Sequence, residues 1–222
     1  MLKLVEMPFA RKYIKEQIRK PSSGFWGFIA RKSLLKGNST IEIDVARATN
    51  AGADENVLEI GFGLGDGLEY VLQNTIRNGK GSLYGVDYSE DVCKWARKSL
   101  KKDVASGKLT ILNEDVAKMS IPDATIHKVF HVHCFYFWPS LANSINEIKR
   151  IMKPGGLMIA GMHPEKLEMV KDKGLLESWM FEPKRYINAL QEAGFENIKE
   201  KNMYNGEVKS DFKLIFGTKP DD

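Results

Sequence analysis

The sequence predicts an α/β protein: a doubly wound, mostly parallel seven-stranded sheet with an antiparallel last strand, preceded by N-terminal helices that would form a lid. Three observations predict it. Short apolar segments alternate with amphipathic ones from about residue 51 onward, the pattern of a parallel sheet covered by helices on both faces. The run Val57-Leu58-Glu59-Ile60-Gly61-Phe62-Gly63-Leu64-Gly65-Asp66-Gly67 passes from a buried strand into alternating glycines, as a ligand-binding loop between strand and helix does. Finally, Asn205-Gly206 separates the last two apolar segments, a gap that suits a hairpin and so reverses the final strand.

At the N-terminus, Phe9, Tyr13, Ile14, Gln17 and Ile18 recur at helical spacing with charges between them, so the chain opens on a basic amphipathic helix. Residues 1–36 hold nine Lys or Arg against Glu6 and Glu16, a charge of +7, which leaves −3 for the other 186. That asymmetry fits an acidic acceptor, an anionic membrane surface or nucleic acid. It fits a solvated helix face as well, and no RNA-binding motif accompanies it. The segment Pro21-Ser22-Ser23-Gly24-Phe25-Trp26-Gly27 reads as a loop, followed by helical segments through about Leu35 and from about Thr40 to Thr49.

Strands are expected near residues 56–61, 82–87, 109–113, 127–134, 157–162, 197–204 and 211–218, with helices between them. Residues 1–50 are assigned to the helical lid and 51–222 to a single globular unit, since no repeat, low-complexity tract or linker marks another domain. A chain of 222 residues with 43% hydrophobic and 28% charged residues can bury a full core. No apolar run approaches the roughly 20 residues of a membrane span. Glu6, Pro8, Arg11 and Lys12 interrupt any signal-peptide stretch. Cys93 and Cys134 are isolated thiols without metal-ligand spacing, so reduced cysteines, a cytoplasmic location and no metal are expected. Within an apolar strand, Cys134 reads as a packed thiol rather than a nucleophile.

The glycine spacing separates ligand classes. A dinucleotide loop needs G-x-G-x-x-G or A for its pyrophosphate, but the sixth position is Asp66 counted from Gly61 and Leu68 counted from Gly63. Glu59 and Asp66 would repel a pyrophosphate, whereas a cationic or zwitterionic adenosyl ligand tolerates them. A second acid, Asp87, ends the strand Ser82-Leu83-Tyr84-Gly85-Val86-Asp87 at the separation, roughly 20 residues, from which an acid reaches ribose hydroxyls. It could instead cap the helix that Ser89-Glu90-Asp91 begins.

Taken together, these residues make the chain resemble a class I S-adenosylmethionine-dependent methyltransferase of the type 11 or 25 kind. Val57 to Gly65 matches the family's first motif and Asp87 its second acid, with Tyr88 beside it. Leu109-Thr110-Ile111-Leu112-Asn113-Glu114-Asp115-Val116 matches the adenine-contacting segment, Lys153-Pro154-Gly155-Gly156 the turn before the fifth strand, and Glu192-Ala193-Gly194-Phe195 a later helix-to-strand turn. The resemblance spans about residues 20–219. It implies a Rossmann-like fold and S-adenosyl-L-methionine as cofactor, leaving as S-adenosyl-L-homocysteine. It also implies cofactor contacts at Glu59, Gly61, Gly63, Gly65, Asp87, Tyr88, Asp115, Val116 and His131. The expected reaction is methyl transfer to oxygen or nitrogen of a small molecule. A protein or nucleic-acid acceptor, or a non-catalytic cofactor-binding protein, are the alternatives. The Asn/Asp-Pro-Pro-aromatic motif of amino-methylating nucleic-acid and glutamine enzymes is replaced by His133-Cys134-Phe135-Tyr136, so no nucleic-acid partner is expected.

Acid–base candidates cluster in His131-Val132-His133-Cys134-Phe135-Tyr136-Phe137-Trp138 at the carboxyl end of the fourth strand, where open α/β sheets bind ligands. If the strand persists, His131 and His133 share a face, one beside the cofactor and the other beside the acceptor. His133 is the expected general base and Tyr136 the second catalytic residue. Related sequences carry small polar residues or Asn here, and the two histidines are equally readable as hydrogen-bonded strand-end residues. His127 should be exposed, His163 should line the pocket, and Trp26 and Trp138, beside Gly and Pro in loops, should contact the acceptor. Phe135 and Phe137 read as core.

Overall fold

Four consecutive buried residues, Val57–Ile60, form strand β1 inside a sheet whose order is β3-β2-β1-β4-β5-β7-β6. The computed structural model describes residues 39–207 and 209–221, so the basic N-terminal helix, Trp26 and the helical segment through Leu35 lie outside the described residues. Helix α1, Ser39–Ala48, precedes β1. Helix α2, Asp66–Val71, follows it and continues as one π turn, Leu72–Ile76. Next come β2 (Leu83–Asp87), α3 (Glu90–Ser99), α4 (Lys101–Ala105), β3 (Leu109–Asn113) and β4 (Ile126–Val132). A 3-10 turn over Phe135–Phe137 leads to α5 (Leu141–Ile151), β5 (Met152–Met162) and α6 (Pro164–Asp172). A second 3-10 turn, Ser178–Met180, leads to α7 (Pro183–Glu192), and β6 (Glu196–Asn205) and β7 (Ser210–Thr218) close the sheet.

The strands β3, β2, β1, β4 and β5 pair in parallel, and β7 runs antiparallel between β5 and β6. This is the architecture the alternation of segments predicts. Ridges of apolar residues fill both faces. One face carries Val57, Phe62, Leu68, Val71, Phe130 and Ile159 beneath α1, α2 and α3. The other carries Leu58, Ile60, Val129, Met158, Ile145 and Tyr186 beneath α5 and α7.

Three boundaries are set by local causes. Helix α2 begins at Asp66, because Gly65 with φ 79° already turns the chain. Strand β5 begins at Met152, which pairs with Ile126 before the Lys153-Pro154-Gly155-Gly156 turn and before Leu157 rejoins at Lys128. Strand β4 stops at Val132, since His133 takes the left-handed conformation, φ 53°, which few residues other than glycine adopt.

Helix α1 lies directly on β5. A side chain at Gly161 would drive its Cβ into Cγ2 of Val45 and to 3.3 Å from Cγ2 of Val132. Gly161→Ala is therefore expected to cost about 1–3 kcal/mol through overpacking, read as a lower urea midpoint at unchanged slope. Combined with Val45→Ala, it should cost less than the sum of the two single changes, since the pair shares one contact.

Candidate active site

Because the parallel strands share a direction, their carboxyl ends meet at one edge, together with the amino end of β7. Residues 61–67, Asp87, Asp115, 133–138, His163 and Asp211 converge there.

The loop after β1 turns on Gly61, Gly63 and Gly65, with φ of 68°, 51° and 79°, values that would strain any residue with a Cβ. Gly65 is the N-cap of α2 and offers no side chain to its amides. Carboxylates from other elements accept them instead: Glu59 takes the Leu68 amide, and Glu42, from α1, takes that of Gly67. Gly67 is obligatory for this arrangement, since a Cβ there would stand 2.5 Å from Oε1 of Glu59.

Glu42 and Glu59 are 5% and 1% exposed, and Oε2 of each has no hydrogen-bond partner among the described residues. Burial, then the charge of Asp66, pushes the Glu42 carboxyl up to about 8. Burial, then the charges of Glu42, Asp66 and Asp87, holds Glu59 well above the carboxylate range. Such a pair favours keeping one of its members protonated. Lys166 of α6 faces Glu42, and burial lowers its ammonium.

At the end of β2, Asp87 Oδ1 accepts the Ser89 amide at 2.8 Å, and the carboxylate also takes the Gly63 amide. Burial pushes this carboxyl up to about 6. Capping of α3 falls to Ser89, whose hydroxyl accepts from the Val92 amide, so Asp87 ties β2 to the glycine loop. Tyr88 beside it is 51% exposed. Asp115 Oδ1 accepts the Ala117 amide at 2.9 Å, and Val116 is buried in the core.

Beyond β4 the polar groups are neutral. His133 Nε2 accepts the backbone amide of His163 at 3.3 Å, which leaves the proton on Nδ1 to be donated to Tyr136 Oη at 2.9 Å. Burial, reinforced by His163 and Lys166, lowers His133 to about 3. Tyr136 is held well above its ordinary range by burial, so it stays a hydroxyl. His163 stacks on His133 with ring centroids 5.8 Å apart. Its Nδ1 donates to the Asp211 carbonyl at 2.9 Å, and its buried Nε2, a lone pair in that tautomer, has no partner among the described residues. Cys134 is a half-buried thiol hydrogen-bonded to the Ile60 carbonyl, and Cys93 is a second, buried thiol, pushed up to about 12 by burial.

His131 and His133 do not share a face, because the strand ends between them. His131 registers with Ile60, on the opposite face from Glu59, which registers with Phe130. Its ring is fully buried against Phe135, Trp138 and Tyr186, with Nε2 2.6 Å from Tyr186 Oη, and so presents no side-chain surface to a ligand. Trp138 is 8% exposed and packs into the same cluster, rather than forming a pocket wall. His127 Nδ1 accepts the Asn56 amide at 2.9 Å at the opposite edge of the sheet.

Sequence reasoning missed Glu42 and Tyr186. The signal for Glu42 was an acid three, four and seven residues from Val45, Ala46 and Thr49 on a buried helical stripe. Among the described residues, no cluster of three or more His, Cys, Asp or Glu could hold a metal, and no helix is long and apolar enough to cross a membrane.

Residues 58–160 match the model of a family described as a methyltransferase domain. A sterol 24-C-methyltransferase of Gibberella zeae is 25% identical over 161 residues, 66% of this chain and 41% of that protein. The chain thus spans about two fifths of that relative's length. Among solved structures, Haemonchus contortus phosphoethanolamine N-methyltransferase 2 in complex with S-adenosyl-L-methionine superposes with a TM-score of 0.68 at 14% identity, covering 93% of this chain and 60% of that one. A SAM-dependent methyltransferase of Aquifex aeolicus superposes with a TM-score of 0.59 at 17% identity, covering 96% and 98%. These likenesses show the fold.

The raised Glu42 carboxyl has a consequence for stability. Folding lifts it from 4.5 to about 8, so the folded state binds a proton more tightly than the unfolded chain. Stability contributed by that proton is full below the unfolded value and is lost as pH rises through the folded one. Glu42→Gln, which keeps an acceptor for the Gly67 amide, is expected to raise the melting temperature of the ligand-free protein more at pH 8 than at pH 5. Scanning calorimetry at the two pH values checks it.

Proposed function

Because the chain carries a class I S-adenosylmethionine-dependent methyltransferase domain, we propose that it transfers a methyl group from S-adenosyl-L-methionine to oxygen or nitrogen of a small-molecule acceptor. The observation that carries this reading is the glycine loop walled by Glu59, Asp66 and Asp87. Negative charge surrounding a nucleotide-type loop rejects phosphates and accepts a cationic adenosyl compound. The residues fit the group: side chains are absent at Gly61, Gly63 and Gly65, and a buried oxygen of Glu59 awaits a donor. In this reading Asp87 takes the ribose hydroxyls, Asp115 and the Val116 amide take the adenine, and Tyr88 lies over the same site.

When bound, the cofactor supplies a methyl already activated on a sulfonium, so the chain's contribution is orientation and proton handling. Holding two reactants in line is worth up to roughly 7–11 kcal/mol in favourable cases. His133 acts through Tyr136 here, donating to its oxygen and turning the phenolic proton toward the acceptor. A lone pair without a partner among the described residues remains on the buried Nε2 of His163, and this reading assigns to it the proton that an acceptor hydroxyl or ammonium must lose once the acceptor reaches it. Trp26, in the loop predicted before α1, is assigned to the acceptor side on sequence grounds. A small-molecule acceptor is supported by the sterol and phosphoethanolamine enzymes among the similar proteins.

Thermal unfolding should respond to S-adenosyl-L-methionine and not to NAD. At 100 times the dissociation constant the cofactor stabilises by about 2.7 kcal/mol, a shift of several degrees, and a larger shift with NAD would overturn the assignment. Release of S-adenosyl-L-homocysteine across a panel of small amines, phenols and carboxylates then identifies the acceptor. Asp87→Ala should weaken cofactor binding. Tyr136→Phe, His133→Ala and His163→Gln should keep that binding and lower turnover by about 100-fold. The Tyr136→Phe and His133→Ala losses should not add, because the two residues act as one unit.

A further inference from the structure

The pair of buried carboxylates leaves a chemical vacancy that the fold does not fill. Glu42 and Glu59 arrive from different elements, α1 and β1, and each spends one hydrogen-bonding position on an amide at the start of α2. Capping those amides explains why one acid is needed per amide. It does not explain why Oε2 of both residues stays buried without a donor among the described residues, since an unsatisfied buried oxygen costs free energy that exposure would avoid. Repulsion within the pair, and from Asp66 and Asp87, makes the arrangement costlier still. An arrangement with two such oxygens is complementary to a group that brings several N–H donors and a positive charge.

We propose that Glu42 is a binding residue for the cofactor's amino-acid end, forming with Glu59 a two-carboxylate seat for its primary ammonium. The chemistry selects the ammonium over the sulfonium. Vacant acceptor oxygens need N–H donors, of which an ammonium has three and a sulfonium none. The inference rests on the adenosyl-cofactor reading above and adds to it a residue outside the glycine motif, on a helix that enters the site from beyond the motif. A proton accompanies the event. At neutral pH the ligand-free pair retains one, and an arriving ammonium displaces it, so binding releases a proton. Affinity therefore rises from pH 6 to pH 7, until the ligand's own ammonium begins to titrate near roughly 7.7–8.0. The charged groups facing Glu42 are Glu59 on β1, Asp66 on α2 and Lys166 on α6; Asp87 faces Glu59.

The test is calorimetric binding of two ligands to the full chain and to Glu42→Gln. S-Adenosyl-L-homocysteine keeps the ammonium but has no sulfonium, whereas 5′-methylthioadenosine lacks the whole amino-acid portion. Glu42→Gln should bind S-adenosyl-L-homocysteine roughly tenfold more weakly at pH 7, about 1.4 kcal/mol, and 5′-methylthioadenosine unchanged. Titration in buffers of different ionisation enthalpy should show protons released by the wild type on binding S-adenosyl-L-homocysteine and fewer by the variant. Equal losses for both ligands would make Glu42 a support for the glycine loop and overturn the proposal. Unchanged affinity and unchanged proton release would overturn it too. Failure of the wild type to bind either ligand would instead sink the cofactor reading beneath it. The melting curve of the ligand-free variant verifies that it folds.

Discussion

The Glu59 carboxylate lying under Gly67, with the Leu68 amide as its donor, is the interaction on which the site depends. It joins the end of β1 to the start of α2 across the intervening glycines, so the loop between them is anchored at both ends. The amides at the start of α2 would otherwise be orphans, because Gly65 has no side chain to cap them. Asp87 then fastens the same loop from β2 through the Gly63 amide. Two acids and a set of missing side chains thereby shape one concave backbone surface.

That surface has an electrostatic counterpart across the edge of the sheet. On the β1 and β2 side, Glu42 and Glu59 are buried beside Asp66 and Asp87, and burial together with these neighbouring charges raises the proton affinity of the two glutamates. On the β4 and β5 side, His133, Tyr136 and His163 are neutral and joined by directional hydrogen bonds. The proposed methyl transfer would use this division, with a negative seat for the cationic donor and a neutral wall for the acceptor. Topology creates it, since parallel strands send their carboxyl ends to one edge and antiparallel β7 returns Asp211 to fix the His163 tautomer.

The histidines show how far strand periodicity reaches. Alternation placed His131 and His133 together, but it holds only while the backbone stays extended, and φ 53° at His133 ends it. His131 then belongs to an aromatic cluster with Trp138 and Tyr186, whose third member comes from a helix more than fifty positions away. Nothing near His131 in the chain announces Tyr186. His163 is similar: the role proposed for it turns on a tautomer set by the carbonyl of Asp211, 48 residues on, which accepts its other ring proton.

Local spacing determined the parallel sheet with its reversed last strand, the glycine loop, and the acids Glu59, Asp66 and Asp87 around it. These features are short-range, because strand, turn and helix start occupy consecutive residues and their chemistry is set by which of them lack a Cβ. Tertiary structure alone decided that Glu42 joins Glu59, that His133 serves Tyr136, and that His131 and Trp138 are core. Each of those outcomes depends on which buried polar atom finds a partner from another element, and hydrogen-bond satisfaction between distant segments leaves no periodic trace in a sequence. The strand-to-glycine run therefore announced an adenosyl site, while the carboxylate that completes its wall became visible only once α1 was laid against it.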